Sequence, residues 1–259
     1  MDSYELEKLL ERASVGDIKA INDLVDFYIE QKDLYHARLE IERLKYIKQP
    51  ESYRRLGYIY SCGLIDKPDF EQSKFYYKKG FELGDEACGY NLALLDIKEG
   101  RYSEAIPYLT YGVSVNHIPS IKLLAKLYIE GKVVSKDLEI AFSLLKKALE
   151  LGETEVYTSL GKVCYQLHKY EEAFSYFSQG FQQKNPDCIY YLGLCYASGF
   201  GVKQDFARAR YYYEIGANIN EPRCLYNLSL FYKEGIGVEK SEALASSLYQ
   251  KAIENGFKK

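Results

Sequence analysis

Long apolar segments are missing from this chain of 259 residues. No apolar run approaches the roughly 18 residues that a membrane-spanning helix needs. The N-terminal stretch MDSYELEKLLERASVGD mixes acidic and basic residues and has no unbroken apolar core, so it is not typical of a signal peptide. The sequence therefore predicts a cytoplasmic protein that is not inserted in a membrane.

A strong excess of charge is also missing. Hydrophobic residues make up 47% of the chain and charged residues 27%, while a formal net charge of -3 at pH 7 gives a pI near 5.8. This balance gives no global electrostatic reason to bind nucleic acid or an anionic membrane. Neither is expected as a partner.

Cysteine is scarce: six residues are too few for a disulfide-built scaffold in a chain of this length, and there is no C-x-x-C pair. Three of the six stand four residues before a recurring leucine, where the other copies hold small residues. The cysteines are Cys88, Cys188 and Cys224, and the residues at the equivalent position of the other repeats are Ala20, Ser52, Ser120 and Val156. Cysteine is therefore interpreted as a small packing residue rather than a redox or metal-binding group.

Motifs that carry chemistry are missing too. The three histidines, His36, His117 and His168, form no H-E-x-x-H motif and no i,i+4 pair, and no Cys/His cluster suggests a metal. There is no phosphate-binding G-x-x-x-x-G-K-[ST] loop, and the glycines Gly199 and Gly201 follow a helix, where a dinucleotide fingerprint must follow a strand. We predict no catalytic, cofactor or metal site, and hence no enzyme.

A leucine does recur along the whole chain, at alternating intervals of 32 and 36 residues. Its copies are Leu24, Leu56, Leu92, Leu124, Leu160, Leu192 and Leu228. Repeats of this length are typical of stacked helical hairpins, each too small to bury its own apolar face. The alternation makes the larger unit a 68-residue pair of one short and one long repeat.

Other positions recur with the leucine. An aromatic residue follows it by four as Tyr28, Tyr60, Tyr128, Tyr196 and Tyr232, whereas Asp96 and Cys164 depart from the pattern. The second helix of each hairpin carries a small residue, and in six of seven copies another small residue stands seven positions later. Small groups at these two points allow neighbouring helices to approach closely.

The long repeats differ from the short ones in the connection between their helices. Each has a glycine seven residues after its leucine, at Gly63, Gly131, Gly199 and Gly235, and a capping residue follows as Asp69, Asp137, Asp205 or Ser241. Glycine is expected to end the first helix in a left-handed conformation, and Asp or Ser to cap the next. The short repeats lack this insertion and have a tighter turn.

The long copies resemble Sel1-like repeats, whose pattern is L-G-x-x-Y, then G-x-G-V, then D-x-x-x-A-x-x-Y-Y. The best match is Leu192, Gly193, Tyr196, Gly199, Gly201, Val202, Asp205, Ala209, Tyr212 and Tyr213. The earlier long copies lack the second glycine, and the short copies resemble tetratricopeptide repeats. Together the resemblance covers about residues 17 to 256.

We therefore predict an all-α fold: a right-handed α-α superhelix, or solenoid, of about seven helix-loop-helix repeats plus an N-terminal half-repeat. The expected repeats are 17–50, 51–85, 86–116, 117–152, 153–185, 186–220 and 221–256. Residues 1–16 fit an orphan second helix that caps the first hairpin. The whole of 1–259 is expected to be a single repeat domain.

If the hairpins stack as in related solenoids, the first helices line a concave groove, and a set of their side chains faces it. The predicted partner-binding residues are Arg54, Tyr58, Tyr90, Lys122, Lys126, Thr158, Lys162, Tyr165, Tyr190, Tyr226 and Lys233. One interpretation is that lysines meet acidic groups of an extended peptide while tyrosines anchor it. The other is that lysines solvate an exposed face and tyrosines cover neighbouring helices.

The resemblance implies a non-catalytic, bacterial interaction scaffold or adaptor that binds a protein segment in the concave groove. If the groove is the binding site, reversing the charges of Lys126 and Lys162 is expected to abolish capture of the partner. The carboxylate clamp of similar repeats needs an Asn two residues after the leucine, a register without Asn here. Two alternatives are a toxin-neutralising, immunity-type or host-contact protein that binds a folded partner, and a β-lactam-related enzyme. The latter proteins are secreted and cysteine-stapled, unlike this sequence.

Overall fold

A computed structural model describes residues 3–132, 134–183 and 185–258, and within these ranges the chain is helical with no β-strand. The helices are α1 (Ser3–Ser14), α2 (Ile18–Glu30), α3 (Leu34–Tyr46), α4 (Pro50–Cys62), α5 (Phe70–Glu82), α6 (Glu86–Lys98), α7 (Tyr102–Ser114), α8 (Ile118–Glu130), α9 (Leu138–Glu150), α10 (Tyr157–Gln166), α11 (Tyr170–Phe181), α12 (Pro186–Ser198), α13 (Phe206–Asn218), α14 (Pro222–Glu234) and α15 (Glu242–Glu254). A short 3-10 turn, Thr154–Val156, leads into α10.

In chain order, the described helices after α1 alternate between the two halves of the predicted repeats. The first helices are α2, α4, α6, α8, α10, α12 and α14, and the others are second helices. Each pair lies within one of the predicted repeats, except that α4 begins at Pro50, one residue early. The residues divide into two compact units, Met1–Leu124 and Ala125–Lys259. They are called unit 1 and unit 2 below.

The core of each unit is built on the recurring leucine. Leu24, Leu56 and Leu92 in unit 1, like Leu160 and Leu192 in unit 2, are almost fully buried. In unit 1, α1 adds Ala13, Leu6 and Leu9 to the cluster around Leu24 and Leu56, so this helix packs on the first hairpin. Burial of these side chains is the main favourable contribution to the stability of each hairpin.

Small residues allow the helices to approach closely, as expected. A Cβ atom placed on Gly180 of α11 would lie 2.6 Å from Cys188 Sγ of α12, and Gly80 and Gly216 meet Cys88 and Cys224 in the same way. Within a hairpin, Gly193 of α12 lies under the ring of Tyr213. Cys88, Cys188 and Cys224 are fully buried, so their structural interpretation is confirmed.

Local sequence sets where the helices begin and end. Asp69, Asp137, Asp205 and Ser241 cap the second helices of the long hairpins by accepting a backbone hydrogen bond. Gly63, Gly199 and Gly235 adopt the left-handed conformation at the C-terminal ends of α4, α12 and α14. These cap predictions are confirmed.

The long loops after α4 and α12 contact the preceding hairpin rather than standing free. Phe200, in the loop after α12, stacks on Tyr170 at the start of α11 with ring centroids 4.4 Å apart. A Cβ atom on Gly201 would lie 2.8 Å from the backbone nitrogen of Glu171, so only glycine fits there. In unit 1, Asp66 of the loop after α4 pairs with Arg38 of α3 at 2.7 Å.

Candidate functional site

The predicted groove residues occupy different surroundings. In unit 1, Arg54 and Tyr58 are exposed, and Tyr90 and Lys122 are half-buried. In unit 2, Lys126 and Lys233 are exposed, and Lys162, Tyr165, Tyr190 and Tyr226 are half-buried. Thr158 is buried. Exposure alone therefore separates residues that could meet a partner from residues that pack inside the chain.

A cleft of about 450 Å³ lies on the first-helix face of unit 1. It is lined by residues of three successive first helices: Ile18, Lys19 and Asn22 of α2, Glu51, Arg54, Arg55 and Tyr58 of α4, and Asn91 of α6. We call it the unit-1 cleft. It brings together two of the predicted residues, Arg54 and Tyr58, with six that were not in the predicted set.

Ion pairs between hairpins hold the two arginines of the unit-1 cleft in place. Arg54 Nη1 lies 3.1 Å from Oδ2 of Asp85, the buried N-cap residue of α6, whose Oδ1 accepts a hydrogen bond from the backbone of Cys88 at 2.7 Å. Arg55 donates a hydrogen bond to Asp26 of α2. Because each of the two arginines has an acidic partner, the ion pairs fix the positions of their side chains and largely cancel their charge.

Tyr58 is the aromatic side chain that the unit-1 cleft presents to solvent. It is 46% exposed, and the Arg55 guanidinium carbon lies 5.6 Å from its ring centroid. The stacked cation limits the positions of the ring, and a rigid, partly exposed tyrosine is a common anchor in protein interfaces.

Two amides line the cleft as well. Asn91 precedes the leucine of α6 by one residue, a register outside the predicted set. The Oδ1 atom of Asn22 is buried and has no hydrogen-bond partner among the residues that the structure describes. A buried acceptor without a partner costs about 1–3 kcal/mol, so rotation of this amide toward an incoming donor would be favourable.

In unit 2, the structure removes Thr158 from the predicted set. Only 8% of this residue is exposed, and its hydroxyl lies 3.0 Å from Cys188 Sγ of the next hairpin. The register that places a side chain in the groove in α4 therefore places Thr158 in the contact between hairpins. The 3-10 turn at the start of α10 accompanies this difference.

Lys162 and Tyr190 are engaged in contacts within unit 2. Lys162 of α10 and Arg223 of α14 both donate hydrogen bonds to Asp187 of α12, and Arg223 Nε also lies 2.7 Å from Glu221. The Arg223 guanidinium carbon lies 4.4 Å from the ring centroid of Tyr190. For these two residues the structure supports a packing role.

The remaining aromatic residues of the set also cover neighbours. Tyr165 packs near Tyr191 and Phe200, with ring centroids 5.5 and 5.8 Å away, and Tyr226 stacks on Phe257 at 4.2 Å. Lys126 stays exposed, with Nζ 3.8 Å from Glu130. Lys233 and Tyr226 border a smaller cavity of about 280 Å³ between α14 and α15.

The described part of the chain shows no cluster for metal binding, and five of its six cysteine thiols are buried. No group of three or more His, Cys, Asp or Glu residues there could hold a metal ion. Burial raises the pKa of Cys164 to about 11 and that of Cys195 to about 12, which keeps these thiols protonated at neutral pH. Nor is any described helix long and apolar enough to cross a membrane.

The repeat pattern identifies the family. The family model described as Sel1 repeat matches residues 50–85, 119–153, 186–220 and 222–257, together more than half of the chain. These four segments are the hairpins with long loops. The chain belongs to the Sel1 repeat family. No curated protein matches the sequence.

Solved structures show the fold. c5321, a protective antigen of uropathogenic Escherichia coli with an SLR fold, is 20% identical with a TM-score of 0.74, over 96% of this chain and 58% of its own. A Sel1 repeat protein from Oxalobacter formigenes is 24% identical (TM-score 0.63, 89% and 96% covered). The C-terminal part of a TPR repeat-containing protein from Cytophaga hutchinsonii is 15% identical, with a TM-score of 0.61, over 90% of this chain and 98% of its own.

These likenesses confirm the predicted fold class, an all-α superhelix of helix-loop-helix repeats. The chain spans less than two thirds of the c5321 chain. Folds built from Sel1 repeats commonly mediate protein–protein interaction and are typically non-catalytic scaffolds.

Proposed function

We propose that this protein is a non-catalytic scaffold whose unit-1 cleft binds an extended segment of another protein. The observation that carries the proposal is the lining of the cleft by three successive first helices, α2, α4 and α6. A ligand that touches all three must run across the helices, as an extended peptide does. The proposal therefore locates the binding groove at the unit-1 cleft.

The chemistry of the cleft suits a peptide main chain. The amides of Asn22 and Asn91 each offer a donor and an acceptor, the groups that a peptide bond requires. Tyr58 supplies a rigid apolar surface between them. Since Arg54 and Arg55 already have acidic partners, recognition does not require an acidic ligand.

The proposed setting is a bacterial cytoplasm, where the protein would act as an adaptor. The three compared structures come from bacteria. All six cysteines are free thiols and five are buried, which suits a reducing compartment.

Site-specific crosslinking tests the proposal. A photoreactive phenylalanine analogue is placed at position 58, or at position 35 as a control, since Tyr35 is an exposed tyrosine on the second helix α3 of the same unit. Partners captured only from position 58 are then tested as overlapping synthetic peptides by calorimetry. We expect one segment of about ten residues to bind, and Tyr58→Ala to weaken it at least tenfold, because central aromatic anchors contribute about 2 kcal/mol or more.

The same measurement includes the control variant Tyr35→Ala, which should leave the affinity unchanged. Binding that requires the folded partner and is lost with every peptide would favour the alternative of a folded-domain or immunity-type complex. Equal loss of affinity from Tyr58→Ala and Tyr35→Ala would refute the cleft as the binding site.

A further inference from the structure

A second cavity of unit 1 arises where the repeat pattern breaks. In α4, Tyr60 stacks on Tyr76 of α5 with ring centroids 5.5 Å apart, and in α12 Tyr196 stacks on Tyr212 of α13 at 5.7 Å. Tyr108 of α7 holds the register of Tyr76 and Tyr212. Its counterpart on α6 is a carboxylate, because Asp96 replaces the recurring tyrosine.

A carboxylate fills less space than a phenol ring, and a cavity of about 330 Å³ lies here. We call it the Asp96 cavity. Its lining holds three acidic side chains, Glu71, Asp96 and Glu104, and three basic ones, Lys74, Lys78 and Arg101. Leu92 and Tyr108 add a small apolar surface. The volume is at the lower end of the roughly 300–1,000 Å³ of small-molecule pockets.

Part of this charge is fixed by ion pairs. Asp96 is only 4% exposed, and its Oδ1 accepts hydrogen bonds from Arg101 at 2.9 and 3.2 Å and lies 3.2 Å from Lys74 Nζ. Lys74 Nζ is also 2.7 Å from Glu99. A buried carboxylate is tolerated only when it is paired in this way, so these groups form a preorganised polar wall.

Two charges of the lining lie outside these close ion pairs. Glu71 and Lys78, both on α5, form no ion pair within the described part of the chain. They are opposite in sign and stand two helical turns apart on α5, and both line the cavity. A ligand with one positive and one negative group could therefore pair with both.

We propose that the Asp96 cavity binds a free α-amino acid, with the ligand's ammonium group near Glu71 and its carboxylate near Lys78. A purely anionic or purely cationic ligand would meet as many like charges as opposite ones in this lining. A small zwitterion satisfies both signs, and Leu92 and Tyr108 accept a short side chain. This site shares no residue with the unit-1 cleft and does not depend on its function.

Equilibrium dialysis of the purified full chain against each of the twenty standard amino acids tests the proposal. We expect at least one to bind with a Kd below about 1 mM. Its N-acetyl and methyl ester derivatives, which each lack one charge, should bind at least tenfold more weakly. Glu71→Ala and Lys78→Ala should each weaken binding at least tenfold, while Gln72→Ala, an exposed neighbour on α5, should not.

Asp96→Tyr restores the ring of the other repeats and should abolish binding. Circular dichroism determines whether this variant is folded. If it is not, Glu71→Ala and Lys78→Ala still decide the test. The proposal is overturned if no amino acid binds, if the singly charged derivatives bind equally well, or if Glu71→Ala and Lys78→Ala leave the affinity unchanged.

Discussion

Lys162 and Tyr58 hold the same register, two residues after the recurring leucine, but they have different surroundings. Tyr58 is 46% exposed, whereas Lys162 is hydrogen-bonded to Asp187, which lies 25 residues further along the chain. Spacing places both side chains on one face of a first helix. It does not reveal whether the next hairpin brings an acidic group into reach, because that depends on how the helices pack.

The sequence nevertheless predicts much of the local structure. The recurring leucine, the left-handed glycines and the capping residue Asp205 follow from helical periodicity and backbone chemistry, which act over a few residues. Of the eight residues that line the unit-1 cleft, the sequence predicts two, Arg54 and Tyr58. Asn91 and Arg55 both precede a leucine by one residue, and a wider set of registers would have included them.

The cysteines give a prediction at the residue scale. Cys62 is exposed and the other five are buried, with burial raising the pKa of Cys88, Cys164, Cys188, Cys195 and Cys224. At pH 8 the native protein should react quickly with one equivalent of a thiol reagent such as DTNB, and with six equivalents after denaturation. Cys62→Ser should remove the fast phase. Two or more fast thiols in the native parent would contradict the assigned burial.

At the scale of helices, Asp187 connects three first helices. It accepts hydrogen bonds from Lys162 of α10 and Arg223 of α14 while lying in the first turn of α12. A charge reversal at Lys162 therefore places two carboxylates together. This contact also revises the charge-reversal test suggested by the sequence, since loss of partner capture by such a variant would report damaged packing as well as a damaged groove.

Lys162→Glu is expected to lower the free energy of unfolding by about 1 kcal/mol, a modest value because both partners are partly exposed. Lys126→Glu, with its loose 3.8 Å pair, should have little effect. Urea unfolding at pH 7 measures both. The double variant Lys162→Glu/Asp187→Lys should recover part of the loss, and equal effects of the two lysine variants would argue against the ion pair.

The stabilisation by the ion pairs of Asp187 depends on pH. Burial would raise the pKa of Asp187, but the hydrogen bonds from Lys162 and Arg223 outweigh it and lower the pKa below its ordinary value of 3.8. The stabilisation is therefore complete above pH 3.8 and is lost as the pH falls through the lower pKa of the folded state. The cost of Lys162→Glu should accordingly shrink in acid.

At the scale of the whole molecule, the contacts between hairpins that the structure describes within each unit join neighbouring hairpins. Stability in such an array is approximately a sum of hairpin and nearest-neighbour contributions. Damage at one contact should therefore remain local instead of unfolding the entire chain at once. Gly216, which lies against Cys224 between α13 and α14, is a suitable place to test this.

Gly216→Val should overlap with Cys224 and destabilise the last two hairpins by about 1–3 kcal/mol. Hydrogen exchange should show lost protection in α12 to α15, with α4 to α6 of unit 1 unchanged. Gly216→Ala combined with Cys224→Ala, which removes the Sγ atom, should be closer to the parent than Gly216→Val. Uniform loss of protection along the chain would contradict local coupling.

Three long loops, those after α12, α14 and α4, contact the hairpin that precedes them in sequence. Phe200 stacks on Tyr170 of the hairpin before it, the backbone carbonyl of Gly237 accepts a hydrogen bond from Arg210 of the preceding second helix at 3.3 Å, and Asp66 pairs with Arg38. In each case the later hairpin supplies the loop and the earlier one the surface that receives it. The surface that receives each of these loops is therefore synthesised before the loop itself. This order favours formation of the contacts one after another as the chain is synthesised.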